Sequence, residues 1–279
     1  MCMPTNNPLL SPAEVQWSDD GVPVSLAYDD PYFAREDGLG ETRHVFLSGN
    51  GQPDRFSGRD GFQIAELGFG TGLNFFATVE TWRLRPDPMP AARLTFTSFE
   101  LAPLPLHDMA RAAARWPELQ AIVEDFLADW PSDPRAGVHH VMRQDVTLEL
   151  VLGDANQMLA GWAGNADAWY LDEFSPARNP DLWSADLMKQ VFERTTPGGT
   201  FATYTVAGWV RRNLAAAGFE LEKFPGYGRK RESLRGRKPL PEPVALVRCP
   251  GPCGQDGHIH PACCWIQLKS DILLAAAIC

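Results

Sequence analysis

The chain has 279 residues, of which 44% are hydrophobic and 22% are charged. This composition is typical of a globular protein and excludes a disordered, collagen-like or coiled-coil chain. The formal net charge of -10 excludes a strongly basic protein that binds nucleic acid over its whole surface, so any nucleic-acid contact must be local. Because no apolar run approaches the roughly 18 residues of a membrane span and residues 1–15 do not resemble a signal peptide, we expect a cytoplasmic protein without membrane contact.

Composition divides the chain into three stretches. Residues 1–50 are predicted to form a hairpin and a cap, because Asp19-Asp20-Gly21 is a turn signal between two short apolar runs. Residues 51–248 are predicted to carry the main domain. Residues 249–279 form a tail of uncertain structure that is rich in cysteine.

From residue 62 onward, strand and helix patterns alternate. The predicted strands are 63–70, 93–101, 147–155, 167–174 and 198–205, and the predicted helices are 73–82, 106–116, 117–130, 181–194 and 207–217. A last hairpin is expected between 219–224 and 243–247. The pattern predicts an α/β fold with a mostly parallel sheet, helices on both faces and an antiparallel C-terminal hairpin. Ligands of such sheets bind beyond the carboxyl ends of the strands.

A glycine-rich segment closes the first strand of this series. It reads Glu66-Leu67-Gly68-Phe69-Gly70-Thr71-Gly72, and alternate glycines allow a ligand to approach the backbone closely. The dinucleotide fingerprint is G-x-G-x-x-G, whereas here the third glycine comes one residue early and an acid precedes the first. The spacing therefore favours S-adenosylmethionine, which has no pyrophosphate. A purely structural glycine-rich turn is the alternative.

Three further acids follow predicted strands, namely Glu100, Asp154 and Asp172. A carboxylate has two acceptor oxygens, so Glu100 is expected to bind both ribose hydroxyls. Asp154 is expected to face the adenine amino group, and a helix N-cap is its alternative role. The carboxyl ends of parallel strands share one edge, so these acids are expected around one pocket.

Asp172 opens a loop with two prolines, residues 172–183, which is stiff enough to hold an acceptor beside a sulfonium methyl. The loop is alternatively a simple strand-to-helix connection with Asp181 as the helix cap.

The segment 226–238 contains six basic residues and one acid. Together with Arg211 and Arg212, it is predicted to form a phosphate-binding patch beside the pocket. The alternative is a solvated charged loop.

These motifs together resemble the methyltransferase domain of the bifunctional tRNA 5-methylaminomethyl-2-thiouridine biosynthesis proteins, the MnmC family. The resemblance runs from about residue 15 to about residue 238, and its segments are 30–33, 38–46, 66–75, 170–183, 201–212 and 226–232. It implies a class I Rossmann-like methyltransferase that uses S-adenosyl-L-methionine. The implied reaction methylates the aminomethyl nitrogen on C5 of the wobble uridine, in the anticodon loop of certain tRNAs.

The residue patterns and the resemblance together assign candidate roles. Asp172 is the catalytic candidate, because the resemblance places it beside the acceptor amine, where a carboxylate can bind the ammonium group and take up its proton. Phe174 and Tyr32 are expected to sandwich the base, with ordinary packing as the alternative. The cofactor-binding candidates are Glu66, Gly68, Phe69, Gly70, Gly72, Asn74, Glu100 and Asp154. The substrate-binding candidates are Tyr32, Phe174, Pro176, Arg178, Arg229, Lys230 and Arg231. Glu173 stands where the family commonly has Gly, and it adds a negative charge near the acceptor.

In fused members of the family a flavin-dependent oxidase domain produces the amine. No second glycine-rich strand-turn-helix follows residue 248, so a separate FAD-dependent oxidase is expected to act upstream. The tail offers Cys and His side chains that are competent zinc ligands, but their spacing matches no strong zinc signature, and no metal site is predicted. A truncated or frame-shifted parent is equally consistent with this tail. The alternative functions are an NAD-dependent dehydrogenase and a catalytically silent tRNA-binding module.

Overall fold

The computed structural model describes residues 8–131 and 134–241. The chain divides into two compact units, Met1–Pro239 and Leu240–Cys279, and every element below lies in the first. Near the N-terminus, β1 (Val15–Trp17), β2 (Pro23–Ser25) and β3 (Asp30–Pro31) form a small antiparallel sheet. The pairing of β1 with β2 confirms the hairpin predicted from the turn signal.

The main sheet has eight strands in the order β10-β11-β9-β8-β4-β5-β7-β6. Their bounds are β4 (Gly61–Leu67), β5 (Arg93–Glu100), β6 (Gly137–Arg143), β7 (Val146–Leu152), β8 (Ala166–Leu171), β9 (Thr195–Thr203), β10 (Glu220–Pro225) and β11 (Glu232–Arg237). The five central strands pair in parallel, whereas β6 at one edge and the β10–β11 hairpin at the other are antiparallel. The predicted mostly parallel sheet is confirmed.

Helices cover both faces of this sheet. They are α1 (Gly38–Thr42), α2 (Leu73–Arg83), α3 (Leu106–Ala113), α4 (Gln120–Leu127), α5 (Ala155–Gly161), α6 (Ala185–Glu193) and α7 (Gly208–Ala217). Successive residues of a strand point to opposite faces. In β4, Ile64 packs into the core with α2, α3 and α4, whereas Ala65 packs into a second core with α5, α6 and α7.

The C-terminal hairpin differs from the sequence expectation. The partner of β10 is β11, which lies within the basic segment, while 243–247 falls outside the described residues. The strand was not predicted because its sequence is rich in basic residues. In the structure Leu234 is buried, and Arg235 and Arg237 form ion pairs with Glu222 and Glu220 on the neighbouring strand. Opposite charges on facing residues stabilise such a ladder.

Two further elements, strand β6 and helix α6, differ from the sequence prediction. Strand β6 was not predicted, because its alternating residues carry histidines and only Val141 is buried. Helix α6 begins at Ala185, where the Ser184 side chain accepts a hydrogen bond from the Leu187 amide, and Asp181 lies in a preceding 3-10 turn. The alternative of a helix cap at Asp181 is therefore wrong, because Ser184 is the cap.

Chain order places a crevice at the carboxyl end of the sheet. From β4 the chain crosses to β5 and β7 on one side, and then returns to β8 and β9 on the other side of β4. Connections that leave two neighbouring strands in opposite directions open a ligand-binding crevice between them. Residues at the ends of β4 and β8 are therefore positioned for binding. In the part of the chain that the structure describes, no helix is long and apolar enough to cross a bilayer.

The packing of α2 against the sheet is expected to make a large contribution to the free energy of unfolding. Phe75 is fully buried and its ring contacts those of Phe96 and Phe126. We expect Phe75→Ala to lower the free energy of unfolding by about 3–5 kcal/mol, the usual cost of deleting a buried aromatic ring. Urea denaturation followed by fluorescence measures this change. The control Leu84→Ala, at a side chain that is 76% exposed, should change it by less than about 0.5 kcal/mol.

Candidate active site

A cavity of about 1270 Å³ lies at the carboxyl ends of β4, β5, β7 and β8. Gly68, Glu100, Asp154 and Asp172 line it, so the acids predicted to share one pocket do so. The small N-terminal sheet, the start of α1 and the loop between β10 and β11 form its other walls. Pockets for one small ligand usually measure roughly 300–1,000 Å³. The cavity therefore has room for a cofactor together with part of a second molecule.

The glycine-rich loop is tight against its surroundings. Gly68 has a φ of +82°, and a Cβ atom there would lie 2.9 Å from both the backbone oxygen of Asp172 and Oε1 of Glu173. A Cβ at Gly70 would lie 3.1 Å from the Tyr32 ring. Gly72 does not line the cavity, and a Cβ there would lie 2.8 Å from the Phe76 ring. The spacing of the loop thus serves protein packing as well as a cavity surface at Gly68 and Gly70.

Asn74, in the first turn of α2, connects two carboxyl groups. Its Nδ2 donates to Oε1 of Glu66 at 3.0 Å and to Oδ2 of Asp172 at 2.6 Å. Its Oδ1 accepts from the hydroxyl of Thr42 at 2.9 Å. The side chain therefore uses both amide hydrogens and its carbonyl oxygen, which fixes its orientation.

Glu66 lies beneath this amide and does not line the cavity. Its side chain is fully buried, and its Oε2 accepts from the Ser98 hydroxyl at 2.7 Å. Burial raises the pKa of Glu66 well above its usual value, although the bonds from Ser98 and Asn74 act in the opposite direction. Glu66 thus orients Asn74 from below, a supporting position that differs from the expected direct contact with a cofactor.

The carboxyl group of Asp172 has a pKa close to neutral pH. Burial raises its pKa to about 7, against the lowering effect of the Asn74 hydrogen bond. The charge of Glu41 raises the pKa further, and Lys230 lowers it. A carboxyl group with a pKa near the ambient pH can exchange a proton with a ligand at little cost in free energy.

Glu100 and Asp154 occupy the other strand ends. Oε2 of Glu100 accepts from the amides of Phe69 and Gly70, at 3.0 and 3.1 Å, and Oε1 accepts from the amide of Ala102 at 2.8 Å. Oε1 retains acceptor capacity toward the cavity. The side chain of Asp154 caps α5 by accepting from the amide of Asn156 at 3.0 Å while it lines the cavity. The cap interpretation of Asp154 is confirmed, and a contact with adenine stays a prediction.

Aromatic rings line the cavity beside Asp172. Phe174 stacks on Tyr28 with ring centroids 4.7 Å apart and meets Tyr32 edge-on at 5.2 Å. Because Phe174 and Tyr32 touch each other and leave no gap for a base between them, the expected sandwich is not formed. The other two substrate candidates of this loop lie elsewhere: Pro176 is buried outside the cavity lining, and Arg178 pairs with an exposed acid, Asp29, at 2.7 Å.

The basic segment does not form one continuous cationic surface. Arg229 and Lys230 line the cavity, where Arg229 pairs with Glu36 at 3.0 Å and Lys230 with Glu41 at 2.8 Å. Arg231 is exposed and outside the lining. The remaining cations are engaged elsewhere, because Arg235 and Arg237 pair across the hairpin and Lys238 donates to backbone oxygens at the end of α6. Neither Arg211 nor Arg212, both on α7, lines the cavity. Of these cations, Arg229 and Lys230 lie at the cavity, and a phosphate-binding patch beside it stays a prediction.

Several cavity residues were not among the site candidates, although the resemblance segments 38–46 and 201–212 contain three of them. They are Tyr28, Glu41, Thr42 and Tyr204. Glu41 and Thr42 belong to the short helix α1, whose approach to α2 depends on tertiary packing. Within residues 8–131 and 134–241, no group of His, Cys, Asp and Glu has a metal-binding arrangement, and the cysteine-rich tail lies outside them.

Comparison with known proteins shows which family the chain resembles. The profile of a family described as S-adenosyl-L-methionine-dependent methyltransferase matches residues 117–239. A protein of Caulobacter vibrioides named "tRNA 5-methylaminomethyl-2-thiouridine biosynthesis bifunctional protein MnmC" is 48% identical over 237 residues, which cover 84% of this chain and 40% of that protein. Its namesake from Azoarcus sp. is 47% identical over 82% of this chain and 36% of its own length. The chain therefore spans about two fifths of the length of these relatives.

A solved structure shares the fold. The crystal structure of MNMC2 from Aquifex aeolicus aligns with a TM-score of 0.66 and 24% identity, and the alignment covers 83% of this chain and 71% of that one. At this identity the likeness concerns the fold, which confirms the Rossmann-like architecture.

The hydrogen bond from Asn74 is expected to control the protonation of Asp172. Asn74→Ala removes a donor that favours the ionised carboxylate, so we expect the pKa of Asp172 to rise above about 7. Carbon-13 NMR of labelled aspartate, with Asp172→Asn to identify the signal, measures the titration. The control Asn156→Ala, which removes an amide beside Asp154, should leave the Asp172 titration unchanged. An unchanged pKa in Asn74→Ala would contradict the control of Asp172 by this amide.

Proposed function

The chain belongs to the MnmC-related family of S-adenosyl-L-methionine-dependent methyltransferases, and from this premise we propose its acceptor. The proposed reaction transfers a methyl group to the aminomethyl nitrogen of 5-aminomethyl-(2-thio)uridine at the wobble position of tRNA. The product is 5-methylaminomethyl-(2-thio)uridine. Membership of this family disfavours the alternative of an NAD-dependent dehydrogenase.

The donor set of the cavity fits S-adenosyl-L-methionine. Gly68 and Gly70 expose backbone where a side chain would collide with the opposite wall, and Oε1 of Glu100 can accept a ribose hydroxyl. Asp154 lies at the next strand end, in reach of a bound purine amino group. When bound, the cofactor supplies a methyl group on a positively charged sulfur. The chain's task is then to present a neutral amine to that methyl group.

The observation that carries the proposal is the environment of Asp172. A primary amine is mostly protonated at neutral pH and has no free electron pair in that form. Asp172 combines a pKa of about 7 with a position on the cavity wall, so its carboxylate can bind the incoming ammonium and accept one proton from it. The amine nitrogen then forms the new bond to carbon as the carbon–sulfur bond breaks. The leaving electron pair stays on sulfur.

Neighbouring side chains are suited to hold the geometry that this step needs. Asn74, fixed by Thr42 and Glu66, keeps the Asp172 carboxyl group in one orientation. Holding a nucleophile in line with its target lowers the barrier by restricting both partners in advance. The rings of Phe174 and Tyr32 offer faces and edges for a pyrimidine base beside that carboxyl group.

A wobble base must leave the anticodon stack to reach this cavity. Single-stranded loops allow such extrusion at a modest cost in free energy. Residues 229–231 lie on the loop between β10 and β11, at the rim of the same cavity, and can bind tRNA phosphates there. The exposed Arg231 is the clearest candidate, because it has no ion pair with any residue of 8–131 and 134–241.

The substrate amine must come from another reaction. We assign this step to an FAD-dependent oxidase that acts upstream and removes a carboxymethyl remnant from the same nitrogen. The word "bifunctional" in the names of the relatives supports a second activity linked to methyl transfer. The substrate also places the reaction in the cytoplasm, where tRNA is modified.

Replacement of the proposed base tests this function. We expect Asp172→Asn to lower methyl transfer to tRNA that carries aminomethyluridine by about 10² or more, the usual scale for a lost general base, because the amide takes up no proton. Binding of S-adenosylhomocysteine should change little. In the unsubstituted protein, kcat/KM should fall as the pH drops through about 7, where Asp172 becomes protonated, and level off above it. Transfer of radiolabelled methyl across a pH series measures both effects.

The control for this experiment is Asp186→Asn, which removes an exposed acid in the first turn of α6, outside the cavity lining, and should leave the pH profile in place. Near-normal transfer by Asp172→Asn would assign the proton to water or to another residue. Retention of the inflection near pH 7 in that variant would contradict the assignment of the inflection to Asp172.

The basic residues 229–231 are expected to affect the binding of tRNA rather than the methyl-transfer step. Arg231→Ala removes one phosphate contact, so tRNA binding should weaken and its slope against salt concentration should fall by about 1. The rate at saturating tRNA should stay unchanged. Filter binding at several salt concentrations measures the slope, with Lys189→Ala, an exposed cation on α6 outside the cavity lining, as the matched control. An unaltered slope in Arg231→Ala would place the tRNA elsewhere.

A further inference from the structure

Glu173 is a buried acid whose position the reaction just described does not explain. Its side chain is 8% exposed and lines the cavity next to Asp172. Its Oε2 accepts one long hydrogen bond, from Nδ2 of Asn179 at 3.3 Å. In the described parts of the chain, Oε1 accepts no hydrogen bond and no cation pairs with the carboxyl group.

The surroundings of Glu173 are unfavourable to its negative charge. The groups that face it are the carboxyls of Glu66, Glu100 and Asp172 and the phenols of Tyr28 and Tyr204. Burial, followed by the three carboxyls, raises the pKa of Glu173 well above its usual value. A buried carboxylate without a partner is costly, and a bound cation removes that cost. The site therefore favours a positively charged ligand.

The free oxygen of Glu173 has a second acceptor beside it. Oε1 and the backbone oxygen of Asp172 both lie 2.9 Å from the point that a Cβ of Gly68 would occupy. The two oxygens therefore lie against Gly68, which lines the cavity. An ammonium group has three donors in a compact arrangement and can donate to both oxygens at once.

The proposed cofactor position brings one particular ammonium group to this place. Glu100 accepts from the amides of Phe69 and Gly70, where it would hold the ribose, and Asp172 at the end of β8 would hold the acceptor. The sulfur atom of the cofactor joins the ribose, the methyl group and the methionyl chain. With the ribose at Glu100 and the methyl group directed at Asp172, the two oxygens beside Gly68 would be available to the methionyl chain.

We propose that Glu173 is a specificity residue of the cofactor site, whose free Oε1 binds the α-ammonium group of the methionyl part together with the backbone oxygen of Asp172. This inference depends on the proposed function only for the cofactor, not for tRNA. The ammonium group stabilises the ionised form of Glu173, so binding releases the carboxyl proton to solvent. The residue thus selects ligands that carry the amino-acid part over simple thioadenosines.

The test compares two neutral thioethers, S-adenosylhomocysteine, which has the α-ammonium group, and 5′-methylthioadenosine, which has no amino-acid part. Titration calorimetry should show that Glu173→Gln weakens binding of S-adenosylhomocysteine about 10-fold or more, the scale of a charge-assisted hydrogen bond. Binding of 5′-methylthioadenosine should change less than about 2-fold. In buffers of different ionisation enthalpy, the variant should release fewer protons when S-adenosylhomocysteine binds.

A second comparison uses the unsubstituted protein alone and so is independent of how the variant folds. An S-adenosylhomocysteine analogue without the α-amino group should bind it about 10-fold more weakly than S-adenosylhomocysteine itself. Equal binding of these two ligands, or equal weakening of both thioethers in Glu173→Gln, would overturn the inference. S-adenosylmethionine is titrated in the same way, and weakened binding of this ligand alone in Glu173→Gln would overturn the inference by assigning Glu173 to the sulfonium. If the unsubstituted protein bound none of these ligands, the proposed cofactor site itself would be wrong.

Discussion

The site depends on one amide group, that of Asn74, which ties the end of β4 to the end of β8. Its two hydrogens reach Glu66 and Asp172, and these acids stand at the point where the chain leaves the sheet in opposite directions. Neighbouring parallel strands whose connections leave in opposite directions open a crevice between those connections. The crevice does not by itself orient the side chains in it. The amide supplies that orientation, and the short helix α1 fixes the amide in turn through Thr42.

The same crevice concentrates negative charge. Asp172 and Glu173 are adjacent in sequence, and Glu66 and Glu100 lie close enough to raise the pKa of Glu173. Such a cluster is unfavourable in the absence of a ligand, so part of the binding free energy of a cationic ligand comes from neutralising it. Both molecules of the proposed reaction carry positive charge at the reacting end, the sulfonium of the cofactor and the ammonium of the acceptor. An acidic protein can therefore bind tRNA locally at its rim while its cavity attracts cations.

The sequence predicted the features that depend on local pattern. Strand-end acids such as Glu100 and Asp172 were expected in one pocket because carboxyl ends of parallel strands share an edge, and the cavity contains them. The pattern did not predict strand β11, because cross-strand pairing of Arg235 with Glu222 depends on a partner elsewhere in the chain. It also missed Tyr28 and Thr42, since nothing local marks a residue that reaches the cavity from the N-terminal segment. The position of Glu66 below Asn74, rather than in the cavity wall, likewise required the packing of α2 on the sheet.

The central claim is the identity of the acceptor, which a fold alone does not determine. The most direct measurement incubates the protein and S-adenosylmethionine with two tRNA preparations, one carrying aminomethyluridine and the other carboxymethylaminomethyluridine at the wobble position. Digestion to nucleosides followed by mass spectrometry should show methylaminomethyluridine from the first preparation and no change in the second. Methylation of neither tRNA, or equal turnover of a free small-molecule amine, would contradict the account.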